Sequence, residues 1–363
     1  MVDLIMRRDG VGGSRSWDSS QNQGGGGSVN ITGIAGTRSD GATWTYTGTG
    51  FGTKANGKPL YWSNFASSVQ PSALGLNASW PYLSPTSALY TGTVSGRTGT
   101  FLSDDISKSS GSMGVEIDNI PSTDYMFVSV DKCYTFDIAT NLGPAGLNLK
   151  IFRIWPDQFG ATIPWGNNIY GAYQGLEEPN SFRSTNEYCQ ATGYGTLIKR
   201  NNSDALYQYN QWDRYQVAFK ESGLDTQDGI FSIYRNGVNW MKNWKDDATG
   251  TVYAAERQWV LSTSARYNKH TKFVFDQVSN GTGVGPLVLY YDRIYVDNTW
   301  ARVMLSNSST FAAATDLEMQ IPQTWTSTQV TAVVNYGNLN QAAPIYAYIV
   351  DALGNVNANG ALT

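Results

Sequence analysis

Gln211-Trp-Asp-Arg-Tyr-Gln-Val-Ala-Phe-Lys220 is followed, after a short break, by Gln227-Asp-Gly-Ile-Phe-Ser-Ile-Tyr-Arg-Asn-Gly-Val238. Both runs are rich in aromatic and β-branched residues, and Asp-Gly and Asn-Gly punctuate the second. They read as two consecutive antiparallel strands. Gly229 and Asn236-Gly237 are the residues able to take a positive φ at the turns.

Outward from this pair the same grammar repeats. Thr43-Trp-Thr-Tyr-Thr alternates Thr with aromatics, as a half-buried strand of period two requires. Tyr125-Met-Phe-Val-Ser-Val, Leu149-Lys-Ile-Phe-Arg-Ile-Trp, Thr271-Lys-Phe-Val-Phe-Asp and Val288-Leu-Tyr-Tyr-Asp-Arg-Ile-Tyr-Val have the same character. Long amphipathic helices are missing, so the expected class is all-β: an antiparallel sandwich of many short strands. Past Asn298 the runs shorten to Trp300-Ala-Arg-Val-Met-Leu, Leu317-Glu-Met-Gln-Ile-Pro, Gln329-Val-Thr-Ala-Val-Val-Asn and Ile345-Tyr-Ala-Tyr-Ile-Val-Asp, enough for a second, small sandwich. Asp351-Ala-Leu-Gly-Asn reads as a tight turn, with Gly354 or Asn355 at positive φ. The expected division is a flexible N-terminal arm over 1–28, broken by Gly24 to Gly27, a main domain over 29–297 and a small β-sandwich over 298–363. A chain ending near Asp297 is expected to stay folded.

The Trp-led strand, the Asp-Gly turn, the next strand and the Asn-Gly turn resemble the concanavalin A-like and laminin-G-like superfamily. That resemblance implies an antiparallel jelly-roll for the main domain, with a small Ig-like sandwich behind it. The segment 29–60, ending in Thr47-Gly-Thr-Gly-Phe-Gly, resembles the opening of an IPT-like unit. Leu289 to Val303, with Tyr346-Ala-Tyr-Ile-Val-Asp-Ala-Leu-Gly-Asn-Val, is similar to a two-module arrangement found in environmental and phage-like proteins. The superfamily hosts lectins, hydrolases, lyases and adhesion modules, so fold alone does not give the function.

Composition narrows the choice. Charged residues are 15% of the 363, aromatics 13%, and 25 basic against 29 acidic residues give a net charge of −4, which leaves no global positive field for nucleic acid. No run of about 18 apolar residues occurs, so no membrane insertion is expected. The N-terminus lacks the apolar core of a Sec signal peptide. Cys133 and Cys189 are too few for a disulfide framework; two buried thiols are the plain reading, and a single bridge stays open.

For catalysis, Glu116 and Asp118 share a strand face in Val115-Glu-Ile-Asp-Asn-Ile and resemble part of the Glu-x-Asp-x-x-Glu pattern of jelly-roll glucanases, but Pro121 stands where the third carboxylate would fall. His270, the one histidine, has Tyr267 three residues away, the residue types a polysaccharide lyase uses to take a proton alpha to a uronate carboxylate. The Gln-Ile-His type of motif used by alginate lyases is absent. Asp225, Asp228 and Asp297 lie in oxygen-rich turns that would suit Ca²⁺, without EF-hand spacing; no cofactor is expected. Sugar rings stack on aromatic faces while amides and carboxylates bond the hydroxyls, which points to Trp155, Asp157, Trp165, Asn167, Tyr170 and Tyr173, and to Trp240 with Trp244.

Since no complete catalytic set emerges, the first expectation is a non-enzymatic structural or adhesion protein, a virion surface, decoration or fibre component at a virion or extracellular surface. Its partners would be a glycan, copies of itself or a larger viral particle. The alternatives are a jelly-roll polysaccharide lyase or glycoside hydrolase, and a secreted glycan-binding module.

Overall fold

In this computed structural model the chain opens with β1 (Asn30–Ala35), β2 (Thr43–Thr49) and β3 (Tyr61–Ser63). Next come β4 (Tyr82–Leu83), β5 (Ala88–Val94), β6 (Arg97–Asp105), β7 (Val115–Ile117) and β8 (Tyr125–Tyr134). The middle of the chain carries β9 (Asn148–Pro156), β10 (Tyr170–Gln174), β11 (Ser181–Ser184) and β12 (Ile198–Asn201). Then follow β13 (Trp212–Lys220), β14 (Gly229–Arg235), β15 (Val238–Asn239), β16 (Trp244–Asp246), β17 (Val252–Tyr253) and β18 (Gln258–Trp259). Two long strands, β19 (His270–Ser279) and β20 (Val288–Asp297), complete the main body. The last part holds β21 (Arg302–Ser306), β22 (Leu317–Met319), β23 (Ile321–Trp325), β24 (Gln329–Val333), β25 (Tyr346–Val350) and β26 (Ala361–Leu362). Besides these strands the described residues are 28–66, 87–105, 120–121, 125–136, 209–220, 234–236 and 286–363; in β4, β9–β12 and β15–β18, in β7 apart from Ile117, in residues 229–233 of β14 and in β19 apart from Phe273, Phe275 and Asp276, only backbone pairing is described.

Among the described residues there is no α-helix, only a 3₁₀ turn at Phe311–Ala313. The protein is an antiparallel jelly-roll sandwich joined to a small Ig-like β-sandwich. One jelly-roll sheet has the order β17-β16-β12-β11-β10-β9-β19-β7-β4; the other runs β15-β14-β13-β8-β20-β6-β5, with β3 on β20 and β18 on β14. The Trp-led pair forms as its residues dictate: β13 and β14 run antiparallel with Tyr215 opposite Arg235, and Asn236 takes φ 47° at the turn. Gly354, at φ 90°, is the positive-φ residue of the Asp351 turn.

Alternation along β8 sends Val128, Val130, Lys132 and Tyr134 to one face and Phe127, Ser129, Asp131 and Cys133 to the other. The inner face meets β19, where the Phe275 and Tyr291 rings lie 6.2 Å apart. Lys132 and Asp276, both fully buried, bridge the sheets at 2.8 Å, and Tyr134 donates its hydroxyl to Asp276 at 2.7 Å. Cys133 is a buried free thiol that donates to Ser95 Oγ at 3.3 Å; Cys189 lies outside the described residues.

The small sandwich is sewn from both ends of the chain. Its sheets are β1-β2-β24-β23 and β22-β21-β25-β26, so the expected placement of 29–60 as the opening of the jelly roll is corrected for its first strands. Trp44 lies opposite Ala332 and Tyr46 opposite Val330, and both rings enter a core with Val303, Leu305, Ala347 and Ile349. The threonines between them face away, which is what the period-two pattern of β2 dictates. Leu317-Glu-Met-Gln-Ile-Pro, read as one strand, is two: Gln320 is fully buried at the crossing from β22 to β23, where its amide donates to Glu318 O and Asn335 O and accepts from Asn335 N.

The module packs on the outer face of the sheet that holds β8. Trp62, Phe127, Ala218, Tyr234 and Tyr295 of the jelly roll form one apolar cluster with Trp300, Met304, Phe311, Leu317, Met319 and Tyr348 of the module. Trp300 also donates its indole N–H to Phe219 O at 3.1 Å.

Candidate functional site

Two places bring chemistry-bearing residues together. The first is the nine-stranded jelly-roll sheet that holds β9 and β19, where backbone register sets Tyr82, Glu116, Val274, Arg153 and Gly171 in one row across β4, β7, β19, β9 and β10. Further along β19, Lys272 lies opposite Trp155 and His270 opposite Pro156, with a register shift between them. Tyr170 pairs with Ile154 and Tyr173 with Lys150, while Trp244 is three strands beyond β10 on β16. The sheet thus holds Glu116, His270, Trp155, Tyr170, Tyr173 and Trp244 of the sequence-derived candidates. Asp118, Asp157, Trp165, Asn167, Asp225, Asp228, Trp240 and Tyr267 lie outside the described residues.

Asp297 is corrected as a Ca²⁺ ligand. It is fully buried, it forms an ion pair with Lys54, and it accepts from Tyr295 Oη at 3.0 Å and from Asn298 N at 2.9 Å. Among the described residues no three His, Cys, Asp or Glu side chains gather as metal ligands.

The second place is the seam between jelly roll and module. Asp131 of β8 lies opposite Arg214 of β13 and Asp292 of β20, so the cross-strand register alone stacks three charges in a row. A bulge in β20 puts Arg293 at φ 48°, and from there its guanidinium reaches Asp131 at 2.5 Å and Glu318 of β22 at 2.8 Å. Arg214 contacts Asp131 and Glu318 at 2.8 Å each and donates to Leu317 O. Arg97 joins Asp131 at 2.8 Å to Asp292 at 3.0 Å, and its guanidinium lies 4.2 Å from the centre of the Trp212 ring. Burial works to raise the Asp131 carboxyl, but Arg214, Arg293 and Arg97 outweigh it and hold Asp131 well below the usual carboxylate range. For Asp292 the balance reverses: burial, helped by Asp131, pushes it up to about 6 against the pull of Arg293 and Arg97. Burial and Glu318 raise Asp316 as well.

Beside this ladder a cleft of about 210 Å³ opens between the two units. Arg214, Gln216 and Asp131 form its floor; Arg97, Trp212, Gln211 and Asn236 one side; Thr315, Asp316, Leu317 and Asn338 the module side. Gln211 and Asn236 both bond Asp213, at 3.2 and 2.6 Å, and the Asn236 carbonyl accepts from Arg214 N. Gln216 is only 3% exposed, yet its side-chain amide makes no hydrogen bond among the described residues.

No family model matches the chain. No curated protein matches it. Among solved structures it is similar to the PL-14 alginate lyase from Aplysia kurodai, at 13% identity, 66% of this chain, 98% of that one and a TM-score of 0.40. It is also similar to the alginate lyase vAL-1 from Chlorella virus (12%, 58% and 89%, TM-score 0.33) and to the botulinum neurotoxin serotype D binding domain (11%, 61% and 43%, TM-score 0.32). These comparisons overturn the first expectation: the structures named here are alginate lyases and a toxin binding domain, not virion, decoration or fibre proteins. With TM-scores below 0.5, no residue role is carried over from them.

Sequence reasoning missed the seam entirely. Asp131, Arg214, Arg293 and Glu318 are separated by 25 to 187 positions, and no spacing motif connects them. One signal was present: charged residues inside otherwise apolar runs, Asp131-Lys132 after Val130 and Glu318 between Leu317 and Met319. Charges in such positions need partners, which is itself a marker of a polar network.

Proposed function

We propose that this protein is a jelly-roll polysaccharide lyase that cleaves a uronate-containing glycan laid across the nine-stranded sheet. The observation that carries the reading is the register that gathers Tyr82, Glu116, Arg153, Lys272 and His270 on four strands of that one sheet. Elimination needs a base to take the proton alpha to the carboxylate and a cation to neutralise that carboxylate as the carbanion forms. His270 or Tyr82 supplies the first and Arg153 or Lys272 the second. The five strands of the row, spaced about 4.8 Å apart, span about 19 Å, room for several sugar units. Trp155, opposite Lys272 in the register, is the proposed stacking residue beside them; Tyr170 and Tyr173 pair with Ile154 and Lys150, which alternate with Arg153 and Trp155 and so belong to the other face of the sheet.

The test is the release of unsaturated uronates from alginate and other uronans. Turnover is expected from the intact protein, with His270→Ala abolishing it and Arg153→Ala reducing it by about 10²-fold or more, both variants keeping the parent melting curve. No unsaturated product from any uronan overturns the reading, and reducing ends without unsaturation would replace elimination by hydrolysis.

A further inference from the structure

We propose that the cleft at the seam is a binding site for a single neutral sugar unit, on the outer side of the sheet that holds β8 and separate from the nine-stranded sheet. It stands on the seam's own geometry and does not rest on the lyase reading.

Three observations lead to it. First, Gln216 is buried to within 3% of full enclosure, lines the cleft and has no hydrogen-bond partner among the described residues. Its amide is not sealed in but opens on the cleft, where it presents one acceptor and two donors with no protein group among the described residues to answer them. Second, the other cleft-facing groups are of the kind that answer hydroxyls. Asn338 sits on the module side with only its backbone N–H engaged, on Glu318, and Thr315 and Asp316 flank it. Paired amides and a carboxylate match the alternating donors and acceptors of vicinal hydroxyls. Third, the charges are already spent. Arg97, Arg214 and Arg293 face Asp131, Asp292, Asp316 and Glu318, three cations against four carboxylates, so no uncompensated cation remains to receive a uronate or a phosphate. The volume, about 210 Å³, is that of roughly seven waters, which suits one pyranose ring and not an oligosaccharide.

The same arrangement argues against a metal ion. Asp131 and Glu318 are bound on both oxygens by guanidinium groups or backbone, which leaves Asp316 as the only carboxylate of the cleft with spare acceptor capacity. The Trp212 ring offers no open platform, because Arg97 lies over it at 4.2 Å and the tilted Phe101 ring is 5.0 Å away.

Titration of the full chain by calorimetry and ligand-observed NMR, with neutral hexoses, their uronic acids and calcium chloride as separate arms, tests the site. One or more neutral hexoses should bind at millimolar concentration, with the corresponding uronic acid weaker. Gln216→Met, which keeps length and volume but removes the amide, should weaken binding roughly tenfold or more. Asn338→Ala, at an exposed position, should weaken it also and carries the test if Gln216→Met does not fold. Turnover of uronans by Asn338→Ala should equal that of the parent, so loss of sugar binding and failure of the lyase reading are read separately. Absence of binding by every neutral hexose, equal binding of the uronic acids, binding of calcium alone, or sugar binding indifferent to both substitutions would each overturn the proposal.

Discussion

The seam between jelly roll and module has two halves that share one sheet face. In one half Phe127, Tyr234 and Tyr295 meet Trp300, Phe311 and Tyr348 in a dry aromatic contact. In the other, two to four residues along the same strands, Arg214 and Arg293 stand between Asp131 of the jelly roll and Glu318 of the module. The apolar half is non-directional and supplies most of the attraction, since burial of large side chains contributes about 1.5–3 kcal/mol each. The ionic half adds little net attraction after desolvation but tolerates only one docking geometry, because each guanidinium must find its carboxylate. Affinity and register are therefore divided between neighbouring patches, and the cleft lies on the side where register is set.

The harshest way to break this comparison is to remove the module side. Ending the chain at Asp297 strips β2 of its partner β24 and uncovers the aromatic half of the sheet. Contrary to the expectation from sequence, that shortened chain should lose its cooperative melting transition or aggregate, as size exclusion and thermal denaturation would show. A sharp, unshifted transition would mean that the jelly roll does not depend on the seam.

Next in size is Glu318→Ala, which leaves Arg214 and Arg293 short of a partner and frees the backbone N–H of Asn338. A destabilisation of about 3–5 kcal/mol is expected, the cost of an orphaned buried charge. Chemical denaturation measures it. A loss under 1 kcal/mol would show that the ionic half relaxes freely and sets no register.

Much of the fold was legible because strand grammar is local. Trp212 to Arg235 carries its own turn residues, and Trp44 and Tyr46 announce a half-buried strand wherever it pairs. What pairs with it was not legible: Thr45 meets Thr331 across nearly the whole chain, and nothing in Thr-Trp-Thr-Tyr-Thr distinguishes a jelly-roll edge from a module strand. The run read as ending at Val130 continues to Tyr134, because Asp131 and Lys132 are neutralised by partners 83 and 144 positions away. For the nine-stranded sheet, sequence named Glu116, His270 and Trp155, but their register with Arg153 and Tyr82 comes only from pairing.

The smallest effect should separate the two acids of the ladder. Asp292 is pushed up to about 6, above the range of an unfolded chain, so between about 4 and 6 the folded state binds more protons than the unfolded state. Stability attributable to Asp292 is therefore present at low pH and falls as pH rises through about 6. Asp131 behaves oppositely: its carboxyl is held low, so its contribution is present above the unfolded range and is lost only as pH falls well below it. Asp292→Asn cannot ionise, and its one oxygen can serve either Arg97 or the N–H of Arg293, which in the parent bond different carboxylate oxygens; that loss is the same at every pH and leaves the slope to report the titration. Relative to the parent it should gain on the order of 1–2 kcal/mol between pH 4 and pH 7, read as the difference between paired denaturation curves. A gain that is the same at both ends of that range would place the titration elsewhere in the seam, with Asp316, a raised carboxyl on the module side, next to be substituted.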